Sequence, residues 1–351
     1  MRSEPIPSSL SGRVGELALL RRIRARAAPS PYSSLRLGIG DDCALLRLRS
    51  GEDLAVTTDL SLAGRHFRLD WHPPEAIGHR ALARGLSDLA AMGARPVAAF
   101  LSLALPPALV QNPKARSAPW IDRFLDGFLS LARDFETPLA GGDLAESPVA
   151  VADVVLTGAV RHGQALLRSG ARPGDDLYVT GALGAAAAGL DRLSKLFAAV
   201  KKLRPHQRRS LQRIPDQFKA LLAPHLYPTP RIAQGLWLAR NATASAAIDL
   251  SDGLSTDLAH LCAESGVAAE VDAAALPIAS GATPIQALNG GEDYELLFAA
   301  SPQARVPSQI EGLPVTRIGR ILARNASAPP VTLITPRGAV ALTPRGWQHF
   351  S

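Results

Sequence analysis

Residues 245–266 read SAAIDLSDGLSTDLAHLCAESG. The apolar run Ser245–Leu250 has the length and composition of a strand. Ser251-Asp252-Gly253 follows, where glycine, serine and an acid mark a turn. Ser255–Glu264 then carries apolar residues at helical spacing, and Gly266 is placed to stop the helix. Strand, acidic turn and helix in direct succession predict an α/β or α+β protein.

The same pattern recurs on either side. Strands are predicted over Leu54–Leu60, Val97–Leu105, Val151–Val160, Asp176–Thr180, Ala269–Asp272 and Tyr294–Ala300. Glu75–Ala91 reads as a helix, and so does the run of Trp120, Ile121, Phe124, Leu125, Phe128, Leu129 and Ala132 at three- and four-residue steps. The chain's 351 residues suit two domains. The division is expected near Pro148, giving units 1–148 and 149–351. The halves echo each other loosely, Thr57-Thr58-Asp59 in one and Asp249-Leu250-Ser251-Asp252-Gly253 in the other, without a strict repeat.

Hydrophobic residues are 47% and charged residues 20%, a globular and not a disordered balance. Cys43 and Cys262 are the only cysteines, too few for a disulfide framework or a zinc site. The opening MRSEPIPSSLSGRVGEL has no apolar core of a signal peptide, and no run approaches the roughly 20 apolar residues of a membrane helix. A reducing cytoplasmic setting is expected. The net charge of +7 resides in residues 191–220, which hold nine Lys/Arg against Asp191 and Asp216. That stretch reads as a solvated helical face, the alternative being a nucleic-acid patch. Only Phe197 and Phe218 interleave it, and no recognition motif accompanies them.

GxxxxGK[ST], HExxH and CxxC are all absent, and Gly38-Ile39-Gly40 lacks the third glycine of a dinucleotide fingerprint. What stands out is acid beside glycine. Asp41-Asp42 follow Gly38-Ile39-Gly40, Asp143 follows Gly141-Gly142, and Glu292-Asp293 follow Gly290-Gly291. Asp59 ends a predicted strand, Asp88 lies in Leu86-Ser87-Asp88-Leu89, and Asp249 and Asp252 flank Ser251. Each acid alone also fits an Asx-turn or a helix cap. Gathered together they would repel unless cations neutralised them. Mg²⁺ takes oxygen ligands, typically one or two carboxylates with substrate phosphates and water, so several acidic turns suit Mg²⁺ bridging protein and polyphosphate.

At these residues the chain resembles the thiamine-monophosphate kinase family, within the ATP-binding superfamily of aminoimidazole ribonucleotide synthetase. The resemblance rests on GIGDDCALL (38–46), TTDLSLAGRHF (57–67), ALARGLSDLAAMGARP (81–96), GGDLAESP (141–148), LRSGARPGDDLYVTGALG (167–184), YPTPRIAQG (227–235), AIDLSDGLSTDLAHL (247–261), SGVAAEVD (265–272), ALNGGEDYELLF (287–298) and RIGRI (317–321). It implies two α/β domains, a homodimer formed by pairing N-terminal sheets into a barrel, and an active-site cleft between the domains. It implies Mg²⁺-dependent transfer from ATP to thiamine monophosphate, without an assigned general base. Asp42, Thr57, Thr58, Asp59, Asp88, Asp143, Asp249 and Asp252 are the implied Mg²⁺ ligands. Gly142, Arg168 and Ser251 are the implied ATP contacts, and His66, Glu292 and Trp347 the implied substrate side. An aromatic face and a carboxylate suit a cationic thiazolium. The chain departs from the family where Leu144-Ala145-Glu146 replace two threonines and an arginine, Ala185-Ala186 replace Asp-Ser, and Gly85 replaces Asn. Another acceptor within the superfamily, or an inactive nucleotide-binding homologue, are the alternatives.

Overall fold

The computed structural model describes residues 16–27, 34–39, 43–111, 118–201 and 216–347. In chain order the first unit holds α1 (Glu16–Arg26), β1 (Leu35–Leu37), β2 (Leu45–Leu46), β3 (Glu52–Leu62), α2 (Pro74–Ala91), β4 (Arg95–Leu105), α3 (Pro107–Val110), α4 (Trp120–Asp134), β5 (Leu139–Glu146) and β6 (Val151–Arg161). Its main sheet has the order β3-β6-β4-β5, antiparallel except for the β4–β5 pair. A division at 148 would part β6 from both of its partners, so the first unit extends to Arg161.

The second unit holds β7 (Asp176–Thr180), α5 (Ala185–Lys201), α6 (Asp216–Leu226), α7 (Ile232–Arg240), β8 (Ala246–Asp249), α8 (Leu254–Ser265), β9 (Val267–Asp272), α9 (Pro284–Asn289), β10 (Leu296–Ala300), β11 (Gln309–Ile310), β12 (Leu313–Ala323), β13 (Val331–Thr335) and β14 (Gly338–Ala341). Its sheet runs β14-β13-β9-β12-β7-β10-β8, with β11 beside β12. Only β13–β9 is parallel. The predicted mixture of strands and helices in two domains holds, with sheets that are mostly antiparallel. Gly266 ends α8 in the left-handed region, as expected.

Helix α2 is the spine of the molecule. A helix that covers one sheet shows one apolar stripe, whereas α2 buries residues all round, from Pro74 and Ala76 through Leu82 and Leu86 to Ala91. The reason is its position between the two units. Its core includes Leu101, Leu103 and Leu156 of the first sheet, and Ala247, Leu296, Phe298 and Ala300 of the second. The alternate residues Ile248, Leu297 and Ala299 face a separate core with Leu254, Leu258 and Leu261 of α8. Both faces of β10 are thus covered, which is why it reads as the unbroken apolar run LLFAA.

Helices α2 and α4 touch backbone to backbone. A Cβ on Gly127 would stand 1.8 Å from Glu75 O, and one on Gly78 would stand 1.9 Å from Phe124 O. Gly127→Ala is therefore expected to force the helices apart at a cost of about 1–3 kcal/mol, read as a lower midpoint in urea unfolding. No change in midpoint would mean the contact yields freely. Among the described residues, no helix is long and apolar enough to cross a membrane.

Candidate active site

The β3 strand alternates. Leu54, Val56, Thr58 and Leu60 are exposed on one face, while Ala55, Thr57 and Asp59 face inward toward α2. Asp59 therefore lies inside a strand and does not end one. The α2 helix meets it with Arg80, Arg84 and Asp88, spaced four residues apart and so on one side of the helix. Thr57 Oγ1 donates to Asp88 Oδ2. Arg84 Nε lies 3.4 Å from Asp59 Oδ1, and Arg84 Nη1 also donates to Leu60 O at 3.2 Å. From the second unit, Asp249 at the end of β8 accepts a 2.7 Å hydrogen bond from Ser87 Oγ of α2.

Burial, and after it the Asp88 charge, pushes the Asp59 carboxyl up to about 6, with Arg84 pulling the other way. Burial likewise raises Asp88, against the Thr57 hydrogen bond. Asp249 is driven well above the carboxylate range, by burial and then by Asp88. Three acids thus converge where water is scarce, and Asp59 Oδ2 is buried without a hydrogen-bond partner. Such oxygens fit a hard divalent cation. Among the described residues, no three acids, histidines or cysteines are gathered closely enough to hold a metal unaided. That agrees with the Mg²⁺ habit of completing its shell with phosphate and water.

Two loops from the second unit close the site. Glu292 N donates to Ser251 O at 2.8 Å, and Tyr294 N to Leu250 O at 2.9 Å, lacing the DLSDG turn to the GGEDY turn. Glu292 and Tyr294 both have positive φ, 67° and 51°. That conformation is strained for residues with side chains and is held only by these surroundings. Asp257 accepts from the N–H groups of Asp252 and Gly253 at 3.0 and 2.9 Å and fixes the turn from behind. Burial and the neighbouring Asp252 push Asp257 up to about 7. Asp293 accepts from Gly184 N and Ala186 N at 2.6 and 3.0 Å, so the start of α5 is capped from a distant loop. The polar groups absent at Ala185-Ala186 are not needed for that cap.

The chain's C-terminal segment reaches over the same turn. Gly346 N donates to Thr256 Oγ1 at 3.0 Å and Trp347 N to Asp252 O at 3.2 Å. A Cβ on Gly346 would stand 2.0 Å from Asp252 O, so only glycine allows the crossing. This holds Trp347, 48% exposed, at the rim.

The resulting cleft encloses about 480 Å³ between the units. Of the residues singled out from sequence it brings together Asp59, Asp88, Asp249, Ser251, Asp252, His66, Glu292 and Trp347. Thr57 stands behind Asp88. Arg168 does not line the cleft, but its charge acts on Asp88, Asp249 and Asp257. Thr58 is not brought in, because strand alternation turns it outward. Asp143 is not brought in either. It lies within β5, where a turn was expected, in register with Ser102 and exposed on the face opposite to buried Leu101. Gly142 sits beside it, where a Cβ would stand 1.9 Å from Leu101 O. Asp42 lies outside the described residues, as does part of the basic stretch, 202–215. At Gly85 a Cβ would meet Leu156 Cδ1 at 2.6 Å and Asp59 Oδ2 at 3.3 Å, which accounts for glycine there.

Sequence reasoning missed Arg80, Arg84, Asp257, His72 and His225. The signal for Arg80 and Arg84 was partial: charges four residues apart, in line with Asp88, on a helix rich in Ala, Leu and Gly.

Residues 40–160 match the AIR synthase related protein N-terminal domain, and residues 172–331 its C-terminal domain. The thiamine-monophosphate kinase of Salmonella typhimurium is 37% identical over 349 residues, covering 96% of this chain and 98% of that protein. The crystal structure of thiamine-monophosphate kinase from Stenotrophomonas maltophilia superposes with a TM-score of 0.73 at 40% identity, covering 91% of this chain and 96% of that one. The structure of AaThiL complexed with AMPPCP and TMP superposes with a TM-score of 0.70 at 30% identity, covering 97% and 100%.

Proposed function

We propose that this chain, which belongs to the thiamine-monophosphate kinase family of the AIR synthase related proteins, moves the γ-phosphoryl of ATP onto thiamine monophosphate to give thiamine diphosphate and ADP. The observation that carries the reading is the convergence of Asp59, Asp88 and Asp249 from both units beside a cleft rimmed by Trp347. A phosphate monoester is itself a competent nucleophile, so one of its oxygens attacks the γ-phosphorus in line and no side chain need act as general base.

Asp59, Asp88, Asp249 and Asp252 are the residues that would hold Mg²⁺, and Asp42 joins them on the resemblance alone. When bound, Mg²⁺ would neutralise two polyanions and stabilise charge on the transferring group. The chain's own cations act beside these acids. Arg84 sits between Asp59 and the loop carrying Glu292 and lines the cleft together with Arg65 and Arg68. It is placed to attract and orient phosphate. Phe67, Trp71 and Trp347 offer apolar and aromatic surface to the rings of the vitamin. Glu292 is ion-paired with Arg80, so the carboxylate is charge-balanced before any substrate arrives. Recognition of a cationic ring thus rests more on aromatic faces than on a bare negative charge.

A coupled assay of ADP release with ATP, Mg²⁺ and thiamine monophosphate is expected to show turnover. Release no faster than with ATP alone would defeat the reading. Trp347→Ala is expected to raise the KM for thiamine monophosphate about tenfold and leave that for ATP within about twofold, the range of one lost aromatic contact. An unchanged KM would remove Trp347 from the acceptor side.

A homodimer through the first sheet is part of the proposal. Its support is Leu54, Val56 and Leu60 on edge strand β3, exposed by 52, 56 and 51%, an apolar row that a second copy would cover. A cytoplasmic setting is proposed with it, supported by two free cysteines.

A further inference from the structure

Behind the acceptor side of the cleft lies a buried polar chain that no metal or nucleotide role accounts for. His72, in the loop before α2, is 5% exposed, Arg80 of α2 is 5% exposed and His225 of α6 is 2% exposed. His72 Nε2 lies 3.0 Å from His225 Nε2. Arg80 Nη1 lies 3.1 Å from the same His225 nitrogen, while its Nη2 binds Glu292 Oε1 and, at 3.2 Å, His66 O. His225 Nδ1 lies 3.4 Å from Glu292 Oε2. Arg68 N donates to His72 Nδ1 at 3.0 Å.

His72 Nδ1 lies within reach of both Arg68 N, at 3.0 Å, and Arg68 O, at 3.2 Å, so the Arg80 end decides the arrangement of protons. Arginine always donates, so His225 Nε2 accepts from Arg80. The proton of His225 is then on Nδ1, which lies 3.4 Å from Glu292 Oε2, a charge contact and not a formed hydrogen bond. Because His225 Nε2 accepts, His72 must present a proton from Nε2, or two lone pairs would face each other. His72 Nδ1 is then the acceptor that the Arg68 N–H requires. Each imidazole is neutral, and a further proton on either would stand against Arg80. The pKa directions agree: burial, then the Arg80 charge, depresses both histidines, His72 to about 3. The charged groups facing the pair are Arg80 and Glu292.

We propose that His72 and His225 form a neutral, one-way hydrogen-bond relay that positions the Glu292 carboxylate at the acceptor side of the cleft, so that both are positioning residues for binding the phosphorylated acceptor. The substrate half rests on the kinase reading above; the relay itself does not. Glu292 needs such support. It stands on a strained backbone with φ of 67°. Burial opposes its charge, while Arg80 and His225 hold it well below the usual carboxylate range. Arg80 binds one carboxylate oxygen and the relay ends 3.4 Å from the other, so turning the carboxylate away from the pair gives up both contacts.

Two measurements on the full chain test this. In a ¹⁵N-histidine NMR titration, His72 should report the Nε2–H tautomer and stay neutral down to about pH 5, and His225 should report the Nδ1–H tautomer and titrate below its ordinary range. Reversed tautomers, or titration of either ring near pH 6, would overturn the relay, whatever the enzyme's activity. In kinetics, His72→Leu should raise the KM for thiamine monophosphate about tenfold, the size of one relay hydrogen bond. kcat and the KM for ATP should stay within about twofold. His72→Gln, whose amide N–H replaces the Nε2 donor, should restore most of that loss. Equal losses in Leu and Gln variants, or a kcat loss without a KM change, would overturn the positioning role. If wild-type protein turned over no thiamine monophosphate while the tautomers held, the acceptor assignment would fall and the relay would stand.

Discussion

Asp88→Asn is expected to lower turnover at least about a hundredfold while leaving the melting temperature unchanged or higher. The two halves of that expectation come from one cause. Asp88 is crowded by Asp59 and Asp249 in a buried setting, and all three carboxyls are raised above their ordinary range. In the free protein the amide removes a repelled charge, and Thr57 Oγ1 still finds an oxygen to donate to. In the working enzyme the same change removes a full negative charge from the group that would hold Mg²⁺ at the phosphates. Loss of function without loss of stability is the signature of a site kept strained for its chemistry. Steady-state kinetics with a thermal melt would check both halves. Turnover within a few fold of wild type would remove Asp88 from the site. A large fall in melting temperature would mean that its role is structural.

How much of this was open to reading before the fold was known differed from residue to residue. The acids of IDLSDGL and GGEDYEL were legible because adjacent carboxylates at the edge of an apolar strand are costly without partners. Their partners proved to be one another's loops and α2. Thr58 was read with Thr57 and Asp59, although strand alternation puts neighbours on opposite faces, and that rule, applied to β3, would have separated them. Asp143 was read as a turn because two glycines and an acid are poor strand formers. In the structure Gly142 is there for a different reason, its contact with the Leu101 carbonyl. Arg80 and Arg84 went unread because charged residues on a helix are usually solvated. Only the packing of α2 between two sheets turns that face inward, and packing is not a local property of the sequence. His72 and His225, far apart in the chain, could be joined only by the fold. Asp293 holds backbone N–H groups 109 and 107 residues away, beyond any local spacing, whereas Asp257 holds those of the turn four and five residues before it, within reach of a local reading.

Arg231→Met is expected to destabilise the chain by about 3–5 kcal/mol, the cost of leaving a buried carboxylate without its partner. Arg231 stands just before α7 and grips Glu295 with two hydrogen bonds, 2.9 and 2.6 Å. Glu295 is 3% exposed, and Thr180 Oγ1 donates to it at 2.6 Å. A Cβ on Gly181 would stand 2.1 Å from Glu295 Oε1, so the backbone is already pressed against the carboxylate. Burial raises the Glu295 carboxyl even with Arg231 present to oppose it; without Arg231 it rises further. A glutamate whose folded-state pKa lies above its unfolded value binds protons more tightly when folded. The folded state then gains below the unfolded pKa, roughly 4.3, and loses that gain as pH rises through the folded value. The stability deficit of Arg231→Met relative to wild type should therefore be larger at pH 8 than at pH 5. Urea unfolding at the two pH values measures it. Adding Glu295→Gln to Arg231→Met removes the stranded charge and should recover most of the deficit at pH 8. A deficit equal at both pH values, with no recovery in the double variant, would mean that Arg231 stabilises through its packing against α7 and β10 and not through its charge. The link between the start of α7 and the second sheet would then owe nothing to this ion pair.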